Sequence, residues 1–172
     1  GRDSAVVRLA SLGGPERWRV PLAPAAMAAL DPADDLIVIT PDAIAKHSGA
    51  DGSVRWTIPS AGLPAVARIG DDGDVWTAGA ELLPAQGITV SVRRIDGATG
   101  SERWLHVETL PPPSVAAVRD LTVDPDGAAY VGGRFGEDVL LKLDPADGAL
   151  RWRRGFATPG GLVRALTVGD RH

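Results

Sequence analysis

The sequence predicts an all-β fold made of one repeated unit, a four-stranded antiparallel meander. Three observations carry that prediction. Four of the five tryptophans end the same string: Gly14-Pro-Glu-Arg17-Trp18, Gly52-Ser-Val-Arg55-Trp56, Gly100-Ser-Glu-Arg103-Trp104 and Gly148-Ala-Leu-Arg151-Trp152. Between them, short runs rich in Val, Leu, Ile and Thr alternate with Asp-Gly or Pro clusters, the pattern of strands joined by tight turns. No window sustains a 3.6-residue apolar period over three turns, and 21 Gly and 14 Pro punctuate the 172-residue chain.

Taken in order, residues 3–9 read as a third strand and lead into the Trp18 strand, so the first unit, 1–22, is partial. The unit 23–60 carries runs at 26–30, 36–40 and 43–47 before the Trp56 strand. Its Ala-rich opening reads as an inner strand rather than a helical turn, because Pro21, Pro24 and Pro32 surround it. The unit 61–110 has runs at 65–69, 75–78 and 88–95, an enlarged hairpin loop at 81–87, and the Trp104 strand. The unit 111–157 has runs at 118–123, 128–132 and 138–143 and the Trp152 strand. In the partial unit 158–172, Val163-Arg-Ala-Leu-Thr-Val168 repeats Val118-Arg-Asp-Leu-Thr-Val123 and reads as another first strand. The Trp positions step by 38, 48 and 48 residues, near the blade period of propeller arrays, and the tight second hairpin of 23–60 accounts for the short step.

Composition excludes several classes. A net charge of -4 lacks the basic footprint of a nucleic-acid binder, and no apolar run is long enough to form a transmembrane segment. With no cysteine, a disulfide framework, a thiolate metal site and a cysteine nucleophile are ruled out. No nucleophile elbow, phosphate loop or His-Glu-x-x-His occurs, so the expectation is a non-enzymatic chain with no catalytic residues and no dedicated cofactor or metal site.

Leu143-Asp-Pro-Ala-Asp-Gly-Ala-Leu-Arg-Trp152 and Ile95-Asp-Gly-Ala-Thr-Gly-Ser-Glu-Arg-Trp104 resemble the Leu-Asp-x-x-Thr-Gly-x-x-x-Trp signature of quinoprotein-like (PQQ-repeat) β-propellers. Leu121-Thr-Val-Asp-Pro-Asp-Gly-Ala-Ala-Tyr-Val-Gly-Gly133 is similar to the bacterial SBBP-type propeller repeat. The resemblance implies four-stranded blades around a central axis, with the signature Trp packed between neighbouring blades. Three full and two partial blades then form either a segment of a larger propeller or a closed four-blade ring. It also implies a binding scaffold of an exported, periplasmic or cell-surface bacterial protein, with a protein or carbohydrate partner and with the remaining blades or self-association completing the ring. The alternatives are a fragment of a quinone-dependent dehydrogenase and a sensory propeller attached to a signalling enzyme.

The candidate residues follow from this layout. Gly14, Trp18, Gly52, Trp56, Gly100, Trp104, Gly148 and Trp152 are the structural repeat. Arg68, Arg119 and Arg164 fall on inner strands and are candidates for an anion in the central channel. The meander sends Asp31, Asp34, Asp35, Asp71, Asp72, Asp74, Asp124 and Asp126, with Asp51, Asp96, Asp144 and Asp147, to one rim. Turn chemistry explains these aspartates, and mutual repulsion leaves room for weak calcium binding only. Arg19, His106, Arg134, Arg153 and Arg154 are assigned to the opposite rim, making the disc electrostatically two-faced. His47, His106 and His172 sit at unmatched positions and are not read as a metal triad.

Overall fold

Side-chain alternation fixes the sheets. In 137–143 the buried residues Val139, Leu141 and Leu143 alternate with half-exposed Asp138, Leu140 and Lys142, the period-two pattern of a strand buried more deeply on one face. The computed structural model describes residues 4–10, 12, 14–23, 26–60, 64–83, 87–111 and 115–156. Among them the chain forms β1 (Ser4–Leu9), β2 (Glu16–Leu22), β3 (Met27–Leu30), β4 (Leu36–Ile39), β5 (Ala43–His47), β6 (Val54–Pro59) and β7 (Pro64–Ile69). It continues as β8 (Val75–Leu83), β9 (Gly87–Ile95), β10 (Glu102–Leu110), β11 (Ala116–Val123), β12 (Ala129–Phe135), β13 (Glu137–Leu143) and β14 (Leu150–Phe156). All pairings are antiparallel between consecutive strands, giving one two-stranded sheet, β1-β2, and three four-stranded sheets, β3 to β6, β7 to β10 and β11 to β14.

The sheets stack face to face through three apolar cores. Trp18 and Val20 of β2 meet Leu36 and Val38 of β4. Ile37, Ile39, Ile44 and Trp56 meet Val75 and Ile95 of the next sheet. The largest core joins Trp76, Val90, Val92 and Trp104 to Leu121, Val131, Phe135, Val139 and Leu141. Each core belongs to a junction rather than to a sheet, so each sheet depends on its neighbour for burial.

One element departs from expectation. The enlarged loop at 81–87 is largely strand: β8 runs through Leu83 and β9 starts at Gly87, paired continuously from Val75↔Ile95 to Leu83↔Gly87. The stretch Glu81-Leu-Leu83 offers no turn residue to stop the ladder, so the pairing runs on to Leu83↔Gly87. The first strand expected at 163–168, and with it the closed four-blade alternative, lies outside the described residues.

Candidate functional site

The repeated string builds the contact between sheets. Its Gly closes the turn between third and fourth strands at positive φ, +76° at Gly52, +76° at Gly100 and +72° at Gly148. These glycines lie under the tryptophan of the preceding sheet. A Cβ at Gly52 would sit 3.1 Å from Trp18 Cγ, at Gly100 2.9 Å from Trp56 Cδ2, and at Gly148 2.5 Å from Trp104 Cε3. Glycine is therefore required twice, for the turn and for the approach of the ring. Trp18, Trp56 and Trp104 are 8%, 9% and 6% exposed, whereas Trp152 is half-buried. Gly14 is half-buried just before β2.

The string's arginine is the extra residue of a bulge. Register passes from His47↔Val54 to Lys46↔Trp56 and from Ile95↔Glu102 to Arg94↔Trp104, leaving Arg55 and Arg103 unpaired in the ladder. Leu143↔Leu150 followed by Lys142↔Trp152 does the same at Arg151. Thus re-aimed, Arg55 reaches Asp35 (3.0 Å), Arg103 reaches Asp74 (2.7 Å) and Asp96 (2.8 Å), and Arg151 reaches Asp144 (2.6 Å).

A second repeated group was missed in the sequence. Arg8, Lys46, Arg94 and Lys142 each stand ten residues before the signature Trp and directly across the ladder from it. At three junctions this cation and the indole N–H donate to one carbonyl of the next sheet's turn. Arg8 Nη1 and Trp18 Nε1 bond Gly49 O at 2.5 and 3.0 Å. Lys46 Nζ and Trp56 Nε1 bond Gly97 O at 3.0 and 3.1 Å. Arg94 Nη1 and Trp104 Nε1 bond Pro145 O at 2.9 and 3.1 Å. The acceptors are themselves 48 residues apart, and the turn bearing them is oriented by Asp35 Oδ1 to Gly49 N (2.9 Å) and Asp74 Oδ1 to Gly97 N (3.2 Å). The 48-residue spacing of Arg94 and Lys142 was the legible signal, hidden by the change between Lys and Arg.

The same cations neutralise the aspartate turns. Lys46 lies 2.6 Å from Asp31 and 3.3 Å from Asp35, all three nearly buried. Arg94 bonds Asp74 (2.6 Å) and Asp72 (2.7 Å), while its guanidinium lies 4.8 Å from the centre of the Trp76 ring. Trp76, the fifth tryptophan, in turn meets Trp104 edge-on at 5.4 Å. Lys142, Tyr130 and Trp152 repeat that stack, with Lys142 also 3.3 Å from Asp124. Burial pushes the Asp31 carboxyl up, but Lys46 and the N–H groups of Asp35 and Ala33 outweigh it and hold the group below its ordinary value. At Asp124 burial likewise opposes and the Ala128 N–H, Lys142 and Tyr130 prevail. Backbone N–H donors, Thr99 for Asp96 and Ala146 for Asp144, lower the other two, helped by Arg103 and Arg151. The expected crowd of repelling carboxylates is thus corrected: much of the rim is ion-paired, because a cation stands across the ladder from each signature Trp.

The other candidates are dispersed. Arg68 and Arg119 stand on the first strands of two successive sheets, β7 and β11. Arg68 crosses to Asp120 of the next inner strand (2.7 Å), and Arg119 is an exposed bulge residue without a partner among the described residues. Arg68 pairs with Trp76 across the ladder and Thr122 with Tyr130, so Arg68 corresponds to Thr122 rather than to Arg119. Arg164 and His172 lie outside the described residues. The two-faced disc is also corrected. Arg19 bonds Glu16 (2.7 Å) and Arg153 bonds Glu108 across the sheet junction, which pairs two of its cations with carboxylates, while Arg134 and Arg154, the latter over the Trp152 ring, are exposed. His47 Nδ1 donates to Gly52 O (3.1 Å) on one sheet, and half-buried His106 stands on another. Among the described residues no group of acidic or His side chains is arranged for a metal ion, and no helix is long and apolar enough to cross a membrane. A groove of about 490 Å³ lies beside β1, lined by Val6, Trp18, Ala28, Leu30 and Leu36, where the other sheets have two inner strands.

Four-stranded meanders locked through a repeated Trp-on-Gly contact define a β-propeller built from PQQ-type repeats. The chain belongs to the PQQ_2 family, whose model, described as outer membrane protein assembly factor BamB, matches residues 2–172. No curated protein matches it. Among solved structures it is similar to BamB from Moraxella catarrhalis, at 17% identity and a TM-score of 0.63, over 90% of this chain and 45% of that one. A protein of unknown function from Bacteroides caccae matches at 17% identity and a TM-score of 0.60, over 96% of this chain and 58% of that one. The quinohemoprotein alcohol dehydrogenase ADHIIG from Pseudomonas putida HK5 matches at 14% identity and a TM-score of 0.61, over 90% and 32%. The likeness is one of fold, and the chain spans between about a third and three fifths of these proteins' lengths.

Proposed function

We propose that the chain is part of a non-enzymatic propeller that serves as a protein-binding scaffold in the bacterial envelope, on the exported or cell-surface side. The observation that carries this reading is membership, over residues 2–172, of a family described by an outer-membrane assembly factor. The geometry supports it: the polar groups that recur with the repeat are engaged in holding sheet to sheet, which makes a rigid frame rather than a reacting centre. The partner surface is the rim of hairpin ends opposite the aspartate turns. There the long β8-β9 hairpin projects with Leu82 72% exposed, near the rim that also carries exposed Val115, Arg134 and Phe156. Exposed loops on a fixed scaffold are where partners are held.

Photo-crosslinking residues introduced at Leu82 and Phe156, against Asp71 and Asp147 on the turn rim, test this in a bacterial envelope. Crosslinks to one discrete protein from the hairpin rim alone are expected, and equal or absent labelling from both rims would overturn the reading. The alternative, a quinone-dependent dehydrogenase, is tested by adding the quinone with calcium: a rise in Tm or a new absorbance band would favour it.

A further inference from the structure

The carbonyls that take the paired donors belong to equivalent residues, Gly49, Gly97 and Pro145, yet these are held in two different ways. Gly49 and Gly97 are buried, and each donates its N–H to a carboxylate: Gly49 to Asp35 Oδ1 at 2.9 Å and Gly97 to Asp74 Oδ1 at 3.2 Å. The other oxygen of each carboxylate takes cations, Lys46 and Arg55 at Asp35, Arg94 and Arg103 at Asp74. Both turns also press close on the backbone, so that a Cβ at Gly49 would lie 2.0 Å from Asp34 O and one at Gly97 1.8 Å from Gly73 O. Glycine is obligatory at both, and its N–H comes with it.

In the β11 to β14 sheet both members of this pair change together. The turn bonds Asp31 N–H to Asp35 O, Gly70 N–H to Asp74 O and Asp124 N–H to Ala128 O identify the residue equivalent to Asp35 and Asp74 as Ala128, which is buried and has no carboxylate. At the position of Gly49 and Gly97 stands Pro145, which has no N–H to satisfy. The turn makes room for its ring: a Cβ at Gly127 would meet Pro145 Cβ at 3.4 Å, an ordinary contact. Without that carboxylate the sheet's two cations go elsewhere, Lys142 to Asp124 (3.3 Å) and Arg151 to Asp144 (2.6 Å). Ala128→Asp alone would leave a carboxylate oxygen without its N–H donor, and Pro145→Gly alone would leave an N–H facing a methyl group, each a costly orphan. We infer that Ala128 and Pro145 are a matched pair that positions the carbonyl joining the β7 to β10 and β11 to β14 sheets. The proline does by its fixed φ and missing N–H what the carboxylate does at Gly49 and Gly97.

A double-mutant cycle on the 172-residue chain tests the pairing. The readouts are Tm and the hydrogen exchange of the Trp104 indole N–H, which bonds Pro145 O at 3.1 Å and so reports whether that carbonyl is in place. Pro145→Gly is expected to lower Tm by about 3 °C or more and to speed the indole exchange about fivefold or more. Ala128→Asp is expected to lower Tm as well. The two together should recover about half or more of the summed loss, because Lys142 and Arg151 stand ready to meet the new carboxylate as Arg94 and Arg103 meet Asp74. A loss of ring stiffness alone would also lower Tm, but a carboxylate at position 128 would not repair it. Should the variants at position 145 fail to fold, Asp74→Ala carries the test to the neighbouring junction. There the Trp56 indole N–H, bonded to Gly97 O at 3.1 Å, should exchange faster, while the Trp18 indole N–H, bonded to Gly49 O, should not. Additive losses in the cycle, an unchanged Trp104 indole exchange in Pro145→Gly, or Trp56 and Trp18 indoles that respond alike to Asp74→Ala would each overturn the inference.

Discussion

Trp104→Ala removes a ring that is 6% exposed, packed edge-on against Trp76 at 5.4 Å and bonded to Pro145 O at 3.1 Å. Truncating a buried aromatic costs about 3 to 5 kcal/mol through lost burial and the cavity left behind. The aromatic pair adds about 1 kcal/mol. The carbonyl is not orphaned, because Arg94 Nη1 still bonds it at 2.9 Å, so no further desolvation penalty is due. The expected loss is therefore about 4 to 6 kcal/mol, a large part of the stability of an ordinary domain. Trp152→Ala, identical in sequence context, removes a half-buried ring with no indole acceptor among the described residues and should cost about half as much or less. Urea titration of both variants, followed by circular dichroism, gives the comparison. Equal losses at the two positions, or a loss at Trp104 under about 1 kcal/mol, would refute the reasoning, since the ring would then not be holding a junction.

Three further outcomes follow from the same geometry. Gly148→Val, placing a Cβ 2.5 Å from Trp104 Cε3 at φ +72°, should destabilise by about 2 kcal/mol or more in thermal unfolding, and a neutral effect would contradict the docking of ring on glycine. Asp31, Asp96, Asp124 and Asp144 are held below their ordinary values, so the unfolded chain binds more protons in acid. Their contribution is full above about pH 4 and is lost as pH falls through the folded values, so urea midpoints should drop steeply below that pH, and a flat profile there would count against the pairing. Calcium should bind no more tightly than about millimolar in isothermal titration, because the rim carboxylates already have cations, and micromolar binding at fixed stoichiometry would show a site among them.

The meander was legible because each turn is marked by Asp-Gly or Pro and each strand by Val, Ile or Leu, signals carried by single residues. The junction was half legible. Its Trp and Gly stand four residues apart in a fixed string, whereas its cation lies ten residues upstream as Arg8, Lys46, Arg94 or Lys142, and its acceptor is a backbone carbonyl that no residue type announces. The role of Arg55, Arg103 and Arg151 was hidden for another reason: a bulge displaces each from the ladder and turns it toward a carboxylate, and bulges leave little trace in sequence. Blade length misled at 81–87 because Gly87, which reads as a loop residue, pairs in the ladder with Leu83.

The central claim is that a cation and an indole from one sheet share a single carbonyl of the next, and a double-mutant cycle at the Arg94, Trp104 and Pro145 junction tests it most directly. Arg94→Met and Trp104→Phe each leave the Pro145 carbonyl with one donor, whereas the double variant leaves it with none and buried. The account predicts that the double variant loses more stability than the sum of the single losses, by about 1 kcal/mol or more. Strict additivity, or a double variant less destabilised than the sum, would contradict it.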